Sequence, residues 1–281
     1  MTIKKIAVIG AGVSGLGAIK SCLEEGLEPT CFEKSSDIGG LWRYEETTES
    51  GKAGIYKSLT CNTSKEMTAF SDYPIPDHYP NYLHNSKMME YLRMYARHFG
   101  LMKYIQFQTK VCSIRKRPDF SSSGQWDVVV EVDEVQKTYV FDGVMVCSGH
   151  YTEKHFPLQD FPGITKFQGK YLHSWEYKHP DNFMGNIVVV IGIGNSRADV
   201  AVYTFSFPFL DDHFEILDSE HTVFKFVSPP QLEKPTLAFI GILKSVGATI
   251  PTSELQDQWV VHVFTDVMAF KGETAPDHTL R

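Results

Sequence analysis

Ile6-Ala7-Val8-Ile9 runs without a break into Gly10-Ala11-Gly12-Val13-Ser14-Gly15, and this junction constrains the fold more than any other part of the chain. A short apolar run of this kind suits a buried parallel strand. Beyond the glycines, Leu16, Ile19 and Leu23 fall at helical spacing, and Gly26 stops the helix. Thr30-Cys31-Phe32-Glu33 reads as a second strand ending in an acid. In a strand–turn–helix of this form the glycines make the tight turn and let the backbone approach a pyrophosphate. The helix N-terminus then offers free N–H groups and a positive dipole end to the phosphates. Glu33 stands 18 residues beyond Gly15, where a carboxylate accepts ribose hydroxyls. The unit predicts a dinucleotide site on Gly10, Ala11, Gly12, Val13, Ser14, Gly15 and Glu33, within an α/β, doubly wound fold.

The unit alone does not separate FAD from NAD, although Glu33 would repel the extra phosphate of NADP. The continuation Ile38-Gly39-Gly40-Leu41-Trp42 carries more information. It resembles the extended fingerprint of flavoproteins that bind two dinucleotides, in which Gly40, Leu41 and Trp42 would line the flavin. FAD is therefore the expected cofactor of the first unit.

The chain has 281 residues, 42% hydrophobic and 22% charged, enough to bury a sizeable core. Its net charge of -7 and the lack of a basic run argue against a nucleic-acid surface. Cys22, Cys31, Cys61, Cys112 and Cys147 form no C-x-x-C pair. That spacing disfavours a disulfide framework, a zinc site and a dithiol reductase. The first residues lead straight into a strand with no signal-peptide pattern. Leu237 to Leu243, the longest late apolar stretch, is too short to span a membrane.

In the middle of the chain, Asn85 or Ser86 is expected to cap a helix running to about Phe99, with Gly100 as its stop. Tyr104 to Ile114 and Trp126 to Val132 read as strands. Val132-Asp133-Glu134-Val135 reads as a hairpin turn into a strand from Lys137 to Phe141. Val144-Met145-Val146-Cys147 reads as another buried strand, ending near His150, which suits either a cofactor contact or a structural histidine.

A second unit follows. Asn186 to Ile191 reads as a buried strand, and Gly192-Ile193-Gly194-Asn195-Ser196-Arg197 repeats the first two glycines with Arg197 in place of the third. Two such units in one chain suggest an electron path from nicotinamide to flavin.

These features together resemble the animal-type flavin-containing monooxygenases. Phe167 to Tyr177 matches the family's F-x-G-x-x-x-H-x-x-x-[FWY] signature around His173. Gly192, Gly194, Asn195, Ser196, Arg197, Ala198 and Asp199 match its NADP-binding segment. Cys61-Asn62-Thr63-Ser64-Lys65-Glu66 matches a stretch near the flavin, and Pro80-Asn81 with His84-Asn85-Ser86 has the family's pattern. The resemblance implies FAD and NADPH as cofactors and molecular oxygen as co-substrate. It implies oxygenation of small-molecule amines or sulfides through a hydroperoxyflavin, with the Asn62 amide hydrogen-bonding near the flavin. It also implies association with the cytosolic face of the endoplasmic reticulum membrane, or an oligomer; the chain itself, having no membrane-spanning run, suits the cytoplasm as well.

The sequence departs from the family after Val202. Tyr203-Thr204-Phe205-Ser206-Phe207-Pro208 matches a phrase that in the family follows the return to the flavin domain. Tyr203 stands only nine positions beyond Gly194, whereas a nucleotide-binding domain needs on the order of 100 residues. The expected organisation is an FAD-binding first part over 1–155 and a truncated NADP-binding unit over 156–202. A return segment over 203–264 and a divergent tail over 265–281 would follow. An internally deleted form of this kind would be catalytically impaired, or would act as an NADPH oxidase that releases peroxide.

Overall fold

The computed structural model describes residues 4–47, 51–52, 54–149, 158, 161, 163–189, 207, 209–210, 227, 229, 232–241 and 249–269. The predicted opening unit forms as β1 (Lys5–Ile9), α1 (Val13–Glu24) and β2 (Glu28–Phe32). A short helix α2 (Lys65–Thr68) and the longer α3 (Asn85–His98) follow, then β3 (Ile105–Gln106) and β4 (Lys110–Lys116). One turn of helix, α4 (Phe120–Ser123), leads to β5 (Trp126–Val132), β6 (Val135–Phe141) and β7 (Gly143–Val146). β8 (Leu237–Phe239) and α5 (Thr249–Ala269) complete the described elements.

Five strands form a parallel sheet in the order β3-β2-β1-β7-β8. The chain builds outward from β1 to β3 on one side, then places β7 and β8 on the other. The strand order therefore reverses between β1 and β7, and such a reversal opens a crevice at the carboxyl ends of the strands. Alternate residues of β1 feed two cores. Ile6 and Val8 pack with Leu16 and Ile19 of α1, Tyr95 of α3 and Val261 of α5. Ala7 and Ile9 pack against Ile114 of β4 and Trp126 and Val128 of β5. The expected α/β fold with a parallel sheet is present, but among the described elements its second face is covered by an antiparallel meander, β4-β5-β6, rather than by helices.

The structure corrects three local expectations. Tyr104 to Ile114 is not one strand. β3 pairs with β2 in the parallel sheet, Gln108 turns at φ 52°, and β4 leaves for the meander. The cap of α3 is His84, whose imidazole accepts the Ser86 N–H, so the helix starts at Asn85 itself. Ile187, Val188 and Val189 lie in no strand and are exposed, Ile187 to 98% and Val189 to 79%. A buried parallel strand needs hydrogen-bonded neighbours on its edges, and among the described residues no strand pairs with this run.

The hairpin between β5 and β6 turns on Asp133 and Glu134 at φ 49° and 63°, a two-residue turn whose twist suits the strands it joins. The meander is anchored to the parallel sheet by fully buried Trp126. Its indole N–H donates to Thr236 Oγ1 at 2.8 Å, and the threonine hydroxyl donates to the Gly124 carbonyl at 2.9 Å. Trp126→Ala is expected to lower stability by about 3–5 kcal/mol through the cavity it leaves. Thr236→Val should cost about 1–3 kcal/mol by orphaning the indole N–H. Urea denaturation of each variant measures both losses.

Candidate dinucleotide site

The crevice between β1 and β7 is where the glycine turn lies. Gly10 adopts φ 99°, and a side chain there would sit 2.8 Å from the Cys147 carbonyl oxygen at the end of β7. Gly15 packs so closely on Gly10 that any Cβ would run into the Gly10 carbonyl. This closeness seats the first turn of α1 on the end of β1. The N-cap of α1 is Gly12, with no side-chain cap and no acid in the first turn. The first N–H groups of a helix have no partner within it, so this end suits an anion.

Glu33 closes the turn from the side. Buried to 7% exposure, its Oε2 accepts the Ala11 N–H at 2.8 Å, while its Oε1 accepts the Ser35 N–H at 2.8 Å and hydroxyl at 2.6 Å. A carboxylate offers about four acceptor positions, so one stays open for a ribose hydroxyl. The acid predicted to read a sugar also locks the phosphate turn in place.

The second glycine pair meets the first. Gly39 N–H donates to the Ala11 carbonyl at 2.9 Å, and a Cβ on Gly12 would lie 3.7 Å from the Gly40 Cα. Gly40, Leu41 and Trp42 then form a single 3-10 turn, with Trp42 packed partly on the core. The structure thus brings Gly10, Ala11, Gly12, Val13, Ser14, Gly15, Glu33, Gly40, Leu41 and Trp42 to one place. A group with a pyrophosphate, a ribose and a flat ring fits the donors and the side-chain-free cradle there.

Cys61, Asn62 and Thr63 precede α2. The Cys61 N–H donates to the Leu83 carbonyl at 2.8 Å, and burial pushes the thiol up to about 11. Thr63 and Thr68 share a hydroxyl–hydroxyl bond at 2.8 Å, and Ser64 caps α2. Asn62 is exposed and its amide makes no hydrogen bond to the described residues. All five cysteines are free thiols, and burial also raises Cys22, Cys31 and Cys147. Buried thiols of this kind are inert rather than nucleophilic. Among the described residues no cluster of His, Cys, Asp and Glu is arranged to hold a metal.

His173 has a structural task. Its imidazole accepts the Trp175 N–H at 3.1 Å, while Glu176 accepts the His173 N–H at 3.2 Å, closing a capping box on the turn Ser174–Glu176. Trp175 then donates from its indole to the Lys52 carbonyl at 2.9 Å, and Lys57 N–H donates to the Lys178 carbonyl at 2.8 Å. The segment is strapped to residues 52–57. His150, Gly192, Gly194, Asn195, Ser196, Arg197, Ala198 and Asp199 lie outside the described residues.

Sequence reasoning returned residues 203–264 to the FAD domain but did not foresee the contacts that α5 makes with this site. Ser253 bonds the Ser14 hydroxyl at 3.2 Å, and Gln256 accepts the Gly241 N–H at 2.9 Å. A Cβ on Gly241 would overlap Ser14. A glycine directly after the apolar run Leu237–Ile240 was the available signal.

The chain matches the family model of flavin-binding monooxygenase-like proteins over residues 3–203 and again over 201–275. It is similar to flavin-containing monooxygenase 5 of Cavia porcellus, with 42% identity over 403 positions, spanning 98% of this chain and 76% of that one. It is also similar to dimethylaniline monooxygenase [N-oxide-forming] 2 of Rattus norvegicus, with 38% identity over 97% of this chain and 75% of that one. Both comparisons run over more than 400 positions while the chain has 281 residues, so each relative carries a long stretch with no counterpart here. In fold it resembles the S-allyl-L-cysteine S-oxygenase of Allium sativum, at a TM-score of 0.79 and 24% identity, over 96% of this chain and 81% of that one.

The capping role makes a direct prediction. His173→Ala is expected to cost about 0.5–2 kcal/mol, the usual loss of a cap, and His173→Asn to restore most of it. Thermal melting measures the cost, and flavin binding should be unchanged in both variants.

Proposed function

The chain belongs to the flavin-binding monooxygenase-like family, whose enzymes work with FAD and NADPH, and from that premise we propose that it oxygenates soft nucleophilic nitrogen or sulfur atoms of small molecules. The observation that carries this reading is the meeting of the two glycine turns, tied by Gly39 N–H to the Ala11 carbonyl. Bound FAD supplies the redox and oxygen chemistry. In our reading the chain's own residues bind and orient. The open N–H groups at Val13, Ser14 and Gly15 hold the pyrophosphate, and the remaining acceptor position of Glu33 takes a ribose hydroxyl. Gly40, Leu41 and Trp42 would line the flavin, and the amide of Asn62 would hydrogen-bond near it, with Cys61 and Thr63 fixing its loop. NADPH is assigned to Gly192, Gly194, Asn195, Ser196, Arg197, Ala198 and Asp199. Support for nitrogen as an acceptor comes from the rat relative, named as N-oxide-forming.

A second reading, an FAD-binding form with impaired turnover, rests on separate observations. The two family-model segments meet at residues 201–203, nine residues past Gly194. The run Ile187–Val189 lies exposed outside any strand. We infer that an internal stretch of the NADP-binding unit is missing, so hydride delivery is the weakened step. Any NADPH oxidised without oxygen transfer would then appear as peroxide. Among the described residues no helix is long and apolar enough to cross a membrane. We place the chain at the cytosolic face of the endoplasmic reticulum on family resemblance alone.

The purified chain is expected to be yellow, with about one FAD per chain, and to convert a thioether to its sulfoxide only when NADPH is supplied. A yellow protein that leaves NADPH untouched, or makes only peroxide, would favour the impaired form. A colourless protein unable to take up FAD would overturn both readings. Gly15→Ala should abolish flavin retention, because its methyl group has no space beside the Gly10 carbonyl; absorbance after gel filtration reads this directly.

A further inference from the structure

Helix α5 packs on α1 along a stripe of buried positions, Ile250, Ser253, Asp257, Val260, Val261 and Phe264. The spacing is that of an ordinary core-facing helix. Asp257 occupies the middle of the stripe, where an apolar residue would be expected. It is 0% exposed, and neither carboxylate oxygen has a hydrogen-bond partner. It lies so close to Gly17 of α1 that a Cβ there would overlap its Oδ2, with Phe70 on the same spot. Among the described residues, the titratable groups near it offer no cation. Glu254 comes from its own helix, Cys22 from α1, Tyr95 from α3 and Cys147 from the end of β7. The ammonium of Lys20, three residues along α1 from Gly17, is engaged by Glu24 and Asp72.

An ionised carboxylate without a partner is among the costliest groups to bury, and proteins take up a proton instead. Glu254 differs, since Ser71 donates to it through both its N–H and its hydroxyl, at 3.0 and 2.7 Å. We propose that Asp257 is a carboxylic acid kept neutral in the folded chain, and that it makes the docking of α5 on α1 weaken as pH rises. Burial first, and the charge of Glu254 second, push its carboxyl well above the ordinary carboxylate range. The sign follows from linkage. The folded chain holds a proton that the unfolded chain gives up near pH 4, so stability is full below that point and is lost as pH rises above it. Because α5 also holds Ser14 and Gly241 through Ser253 and Gln256, its release would loosen the N-terminus of α1. The inference concerns the chain without cofactor, so it stands or falls independently of the FAD reading.

The test is urea denaturation of the full chain without added flavin, from pH 5 to pH 8, alongside Asp257→Asn and Asp257→Leu. Relative to both variants, the wild type should lose folding equilibrium constant about tenfold per pH unit. Protection of α5 amides against hydrogen exchange, corrected for the chemical rate, should fall in the same direction. The wild-type infrared spectrum at pH 7 should also carry a protonated-carboxyl band missing from Asp257→Asn. Parallel pH profiles for all three chains, or a wild type without that band, would overturn the proposal. If one variant does not fold, the other still gives the comparison.

Discussion

The architecture depends on how closely the start of α1 approaches the end of β1. That contact requires a residue without a side chain at position 15 and a left-handed residue at position 10. It also aims the free N–H groups of the helix at the crevice between β1 and β7. Glu33 holds the arrangement by accepting the Ala11 N–H from the far end of β2. One carboxylate therefore joins the turn after β1 to the end of β2.

Much of this was legible locally. The strand, turn, helix and acid of the first unit are each set by residues within one stretch, so periodicity and glycine spacing were sufficient. The Gly39–Gly40 turn was legible as a motif, although its contact with Ala11 was not. The return of 203–264 to the flavin domain was legible, but the particular contact of Ser253 with Ser14 spans 239 residues, and its one local trace was the glycine after Leu237–Ile240. Gln108 was misread because a turn at φ 52° on a non-glycine residue leaves no trace in composition. His173 carried a family signature, and the geometry shows it spent on capping a turn and fastening Trp175 to Lys52.

Ile187–Val189 shows the limit of reading hydrophobicity as structure. The run has the apolar composition of a buried parallel strand, but a strand forms only where a neighbour completes its hydrogen bonds. Among the described residues no strand pairs with this run. In our reading the two nucleotide units of the chain are unequal. The first is tied to a core that includes the distant α5, while in our reading the second is cut short where the two family-model segments meet at residues 201–203. Under the proposed reading, an FAD site would outlast damage to its electron supply, because the residues assigned to it belong to different elements from those assigned to NADPH.

The measurement that bears most directly on this account is an equilibrium titration of the flavin-stripped chain with FAD, followed by quenching of flavin fluorescence. The account predicts saturation at one FAD per chain, with binding weakened at least tenfold in Glu33→Ala, which removes both the ribose acceptor and the tie to Ala11. Absence of saturable binding, or equal affinity in wild type and Glu33→Ala, would contradict it.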